Sequence, residues 1–261
     1  MPKSIAWIFS IMILSNCTSQ SSDSLKSKIQ NDSSKFSYTL LGDSFTGDFN
    51  KQANGNYHET KTKIEQLRKS FFVRYKHLKP ADQHLYLDTV NVHFVNLLIN
   101  DMIPHWYGTD WDFNGISPNP GSGSIACGYF VSTTLLQMGI KVNRYKLAQQ
   151  GGTNEAKSLA LGVTKNYWRR VRSRYTDIEA MFTNVKDGLY FVGLDNHVGY
   201  FYKTNGRYYF LNSDYHLDQV VGSEINESAV FRSKLYVFAN ISHNRTLMKK
   251  WLLSETVKVV Q

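Results

Sequence analysis

The feature that most limits what this chain can fold into is a reversal at Thr204-Asn205-Gly206 between two aromatic-rich runs, His197 to Lys203 and Arg207 to Asn212. An Asn-Gly pair accepts the positive φ values that a tight β-turn demands, so the two runs read as the arms of a hairpin. His197 then stands at the start of one strand and Asn212 at the far end of the other, and pairing across the turn brings the two close. Two more short runs, Gly188 to Gly193 and Lys234 to Ala239, read as further strands. Upstream the periodicity is helical: Ile64, Leu67, Phe71 and Phe72 within Glu59 to His77, and Leu85, Val92, Val95, Leu98 and Ile99 within Ala81 to Met102, which ends before Pro104. Arg144 to Phe182 also reads as mostly helical, broken near Gly151-Gly152 and Gly162, and Arg245 to Leu253 as a last helix. Helices first and an antiparallel sheet after them is an α+β layout.

The chemistry concentrates at Cys127. A Gly- and Ser-rich loop, Gly121 to Ser124, runs into an apolar segment in which Tyr129, Phe130, Val131, Leu135 and Met138 recur at helical steps until Gly139 stops it. Cys127 lies in the first turn of that helix, where unpaired N–H groups and the positive end of the dipole favour a thiolate, so an acidic, reactive thiol is expected. A nucleophile on a helix N-terminus, His197 as base and Asn212 as the polar group that holds the imidazole make the set that nucleophilic cysteine catalysis requires. Asp214 shares a strand face with Asn212 and is the alternative third member, and Asp195 and Asn196 also adjoin the histidine. The Cys127 N–H is a candidate oxyanion donor. Trp111 and Phe113, in the loop from Trp106 to Gly123, are equally readable as groove walls or as anchors of that loop to the core.

Cys-Gly-Tyr-Phe-Val at residues 127 to 131 resembles the Cys-Ser-Gly-Phe-Val of the NlpC-type cell-wall endopeptidases, within the wider papain-like cysteine peptidases. His-Val-Gly-Tyr-Phe from residue 197 is similar to their His-Val-Gly-Ile-Tyr, and the Asn-Gly-Arg-Tyr-Tyr-Phe-Leu-Asn stretch ends with Asn212 where that family usually has a histidine. His105-Trp106-Tyr107-Gly108-Thr109 looks like the Tyr-x-x-Gly-Gly element whose tyrosine lies beside the active site, which makes Tyr107, with Trp106, a candidate substrate or oxyanion contact. The resemblance spans about residues 103 to 215 and departs at Gly128, where the family has Ser, and in a long insert between Cys127 and His197. It implies a papain-like fold and a thiol amidase or endopeptidase acting on peptidoglycan stem peptides. An acyl-transfer enzyme or toxin-type amidase with the same triad, or an envelope-binding lipoprotein without turnover, are the competing readings.

Composition sets the remaining bounds. The chain is 42% hydrophobic and 14% aromatic, enough for a buried core, and its net charge of +9 suits anionic partners. No nucleic-acid motif accompanies that charge, and the one dense basic run, Trp168 to Arg174, reads as a solvated helix face. His84 and His93 are expected to be ordinary surface or core histidines. No His, Cys or carboxylate spacing suggests a metal, and no cofactor is implied. Of two cysteines, Cys17 follows Lys3 and an apolar run from Ile5 to Leu14 too short to span a bilayer, and Leu14-Ser15-Asn16-Cys17 resembles a bacterial lipobox. The expected organisation is therefore a lipoprotein signal over 1–17 with Cys17 lipidated, a flexible tether over 18–56, and one hydrolase domain over 57–261, exported and anchored by lipid to a membrane of the cell envelope.

Overall fold

The computed structural model describes residues 53–171, 180 and 182–261. The expected signal segment, Cys17 and nearly all of the expected tether lie outside the described residues.

Helix α1, Tyr57–His77, begins at a reciprocal cap: the Asn56 side chain accepts from the Glu59 N–H and the Glu59 carboxylate accepts from the Asn56 N–H. Pro80 opens α2, Pro80–Leu97, where its fixed φ suits a first turn. The helical path continues through a π turn, Leu98–Met102, and a 3-10 turn, Ile103–His105, so the second predicted helix is present with an altered end. After the loop come α3, Cys127–Gln137, α4, Arg144–Ala148, and α5, Gly152–Ala160. Gly139, at φ 91°, turns the chain out of α3 as expected. Among the described residues no helix is long and apolar enough to cross a membrane.

The helical expectation for 144–182 fails at 167–171. Tyr167–Val171 is strand β1, and Trp168, read as part of a solvated helix face, stacks on Phe238 with ring centroids 5.7 Å apart. Its β-favouring Tyr-Trp pair finds a partner strand in β6, and that long-range pairing overrides the run of arginines. The remaining strands are β2, Gly188–Gly193, β3, Val198–Thr204, β4, Arg207–Asp214, β5, Gln219–Glu224, and β6, Leu235–Asn240. They form one antiparallel sheet in the order β1-β6-β2-β3-β4-β5. Strand β5 escaped the sequence reading because it is an edge strand with little apolar alternation.

The hairpin is as expected. Asn205 at φ 49° and Gly206 at φ 73° form a two-residue reversal, and the register pairs Thr204 with Arg207 and Tyr200 with Leu211. One face of the sheet carries an aromatic core of Phe182, Tyr190, Phe201, Phe210, Phe231, Tyr236 and Phe238. The opposite face receives α3 and α5, with Tyr200 meeting Phe130 edge-on at 6.0 Å and bonding Thr134 at 2.8 Å. Tail helix α6, Arg245–Leu253, locks onto the end of α3 through the Trp251 indole, which donates to the Met138 carbonyl at 2.6 Å. The architecture is α+β, with the first turn of α3 brought to the start of β3.

Candidate functional site

The segment that leads into Cys127 is anchored through its backbone. Ile125 N–H donates to Asp110, Ala126 N–H to Gly115, and the Ser213 hydroxyl to the Ile125 carbonyl at 2.6 Å, which ties the approach to α3 to the end of β4. Cys127 is the first residue of α3, as predicted, and no side chain caps this helix start. The Val198 N–H at the head of β3 faces its sulfur, as do the N–H groups of Gly128 and Cys127 itself. Gly128 has a packing reason: a Cβ there would lie 2.7 Å from the Ala148 carbonyl oxygen, so α3 and α4 touch only because residue 128 has no side chain.

His197 and Asn212 are both interior, at 3% and 0% exposure, and Nε2 of the imidazole lies 2.8 Å from Oδ1 of the amide. An amide oxygen only accepts, so Nε2 carries the ring proton and Nδ1 keeps its lone pair. Gly199, between them on the sheet, is required: a Cβ there would sit 2.6 Å from the Phe210 ring. The Asn212 Nδ2 has no partner among the described residues, so the amide contributes its oxygen alone.

The alternative third members are engaged elsewhere. Asp214, 2% exposed, accepts from the N–H groups of His216 and Leu217 and so organises the turn after β4. Its charge still reaches His197, but it makes no hydrogen bond with the ring. Asp195 accepts from the Ser233 hydroxyl and the Lys234 N–H on the surface. Of the loop aromatics, Trp106 is wholly interior, edge-on to Phe130 at 6.5 Å, and Tyr107 beside it is half-buried. Trp111 is half-buried at 6.0 Å from Tyr215, and Phe113 is 80% exposed.

The electrostatics overturn one expectation. The Cys127 thiol is not acidic in this state: burial pushes it up to about 11, the Val198 N–H works against that, and the Glu155 side chain adds to it. Desolvation outweighs the helix end. His197 is held below its ordinary value by burial, with Asn212 and then Asp214 opposing. Thiol and imidazole are thus both neutral at pH 7, and among the described residues no hydrogen bond joins them.

Two residues of the site were not anticipated. Tyr215 lies edge-on to His197 at 5.3 Å and covers it from the Trp111 side. Its place immediately after the Asn212-Ser213-Asp214 run was the available signal. Glu155 on α5 is 1% exposed, and burial raises its carboxyl well above the usual range. Nothing in the sequence marked it, because a glutamate inside an amphipathic helix is ordinarily solvated. No group of His, Cys, Asp and Glu among the described residues is arranged to hold a metal ion. No family model, no curated protein and no solved structure matches this chain.

Proposed function

We propose that the chain is a thiol hydrolase of papain-like, NlpC-type design that cleaves amide bonds, with peptidoglycan stem peptides as its substrate. The observation that supports this reading is the enclosed His197–Asn212 bond, formed by the residue just before Val198, whose N–H faces the Cys127 sulfur. The substrate class rests on the motif resemblance alone.

The neutral resting pair sets the order of events. On substrate binding, Nδ1 of His197 takes the proton from Sγ of Cys127 as sulfur attacks the carbonyl carbon, so the thiolate forms only as it is consumed. The negative oxygen of the tetrahedral intermediate faces the Cys127 N–H, left unpaired by its position at the helix start. Collapse breaks the C–N bond, the imidazolium returns its proton to the leaving amine, and a thioester remains on Cys127. Water, deprotonated by the same Nδ1, then attacks the thioester and releases the carboxylic acid and the thiol. Asn212 keeps the ring oriented in both halves through its bond to Nε2.

Mass spectrometry of peptidoglycan digested with purified, unlipidated protein tests the proposal. New peptide termini that disappear with Cys127→Ala support it, and an unchanged digest at high enzyme concentration would favour an envelope-binding role. Export and lipid anchoring at Cys17 belong to the same proposal, and Cys17→Ala is expected to lose membrane association.

A further inference from the structure

The most unusual charge near the site belongs to Arg144 on α4. It is 7% exposed, and among the described residues no carboxylate lies within ion-pair distance of it. One terminal nitrogen donates to the Ile116 carbonyl at 2.5 Å, while Nε is buried without a partner. The guanidinium is flanked by the rings of Tyr145 at 4.9 Å and Tyr129 at 5.3 Å, which support a cation but do not neutralise it. A buried charge left this way is costly, and such charges are ordinarily paired.

The surroundings add donors, not acceptors. The Arg144 charge reaches the Tyr57 hydroxyl, and the Trp106 indole N–H points toward that same hydroxyl without completing a hydrogen bond. The hydroxyl, the indole N–H and Nε of Arg144 are all enclosed and unsatisfied. Two donors beside a cation that has an unused N–H of its own, with no anion among them, match the needs of a carboxylate.

The location is beside the nucleophile. Tyr129 is two residues beyond Cys127 on α3, the carbonyl of Ala148 at the other end of α4 touches Gly128, and Ile116 pairs with Ile125 just before Cys127. Ile116 and Tyr145, which flank the guanidinium, are 50% and 52% exposed, so the cluster lies one side chain beneath the surface. We infer that Arg144, with Tyr57 and Trp106, forms a subsite that takes a carboxylate of the substrate near the bond to be cut. This deepens the thiol-hydrolase reading and rests on it for the word substrate, while the carboxylate site itself stands on Arg144.

Binding and turnover separate the two. With the full chain carrying Cys127→Ala, calorimetry compares two matched probe pairs: N-acetyl-trialanine with a free or an amidated terminus, and an amidated N-acetyl tripeptide with a central glutamyl or glutaminyl residue. The carboxylate member of at least one pair is expected to bind about ten- to a hundredfold more tightly, the range of one charge-assisted bond. Arg144→Lys should keep part of that margin and Arg144→Met should abolish it. Equal binding within both pairs, no measurable binding of either carboxylate, or a margin that survives Arg144→Met would each overturn the inference. If Arg144→Met does not fold, Arg144→Lys decides, and a margin left unchanged in that variant would overturn the inference. Peptidoglycan cleavage by the Cys127 protein is read independently, so a hydrolase indifferent to carboxylates and a carboxylate binder without turnover give different results.

Discussion

Removing the Asn212 side chain tests the site at its most enclosed bond. The 2.8 Å contact with His197 lies where neither residue meets solvent, so in Asn212→Ala the Nε2–H keeps no acceptor. Leaving a buried donor unsatisfied costs about 1–3 kcal/mol. If that cost falls on the oriented imidazole, turnover drops about 5- to 150-fold, since about 1.4 kcal/mol is a factor of ten in rate. Loss of His197 or Cys127 itself should be more severe, with removal of the base costing about a hundred- to ten-thousandfold. Asp214→Ala, which removes a turn anchor and no ring contact, should cost the least of these. The assay is the rate of new termini from peptidoglycan fragments, read beside the NMR signal of the slowly exchanging Nε2–H, which Asn212→Ala should broaden away. Full activity in Asn212→Ala alongside a crippled Asp214→Ala would refute this reasoning.

Alkylation of Cys127 by iodoacetamide in the ligand-free protein should rise through a midpoint near pH 11, not below neutrality. Because the folded thiol holds its proton more tightly than the unfolded one near 9.0, its contribution to stability is complete below about pH 9 and is lost as pH rises through about 11; denaturant titrations of wild type and Cys127→Ala across that window should converge. Gly128→Ser, the residue of the resembling motif, should lower the melting temperature and activity together, since its Cβ would meet the Ala148 carbonyl at 2.7 Å; wild-type stability would show that α4 yields freely. Tyr215→Ala should expose His197 and raise its pKa toward the ordinary 6.5, followed by NMR titration of the ring; an unchanged or lower value would mean that Tyr215 does not shield it.

Local signals were the legible ones. The Asn205-Gly206 reversal fixed two strands and the meeting of His197 with Asn212, and Gly139 marked the end of the Cys127 helix. What the sequence hid depends on distant partners. Trp168 became a strand residue because β6 was there to pair with it, and Asp214 lost the third place because the turn amides of His216 and Leu217 claimed its carboxylate. The acidity expected of Cys127 failed for a similar reason: a helix N-terminus is visible in sequence, but the depth of the sulfur and the nearness of Glu155, 28 positions on, are properties of the assembled core.

The two-residue reversal at Asn205-Gly206 also sets a length. His197 and Asn212 lie at the opposite end of the hairpin from it, about 20 Å away at about 3.4 Å per strand residue. Because successive side chains alternate between faces, one residue inserted at that distant turn, if β4 slid to absorb it, would carry Asn212 to the other side of the sheet and offer His197 a neighbour from the wrong row. A surface loop that touches nothing in the site is thereby its ruler, and variation in its length would be read at Cys127 as surely as a change in the imidazole itself.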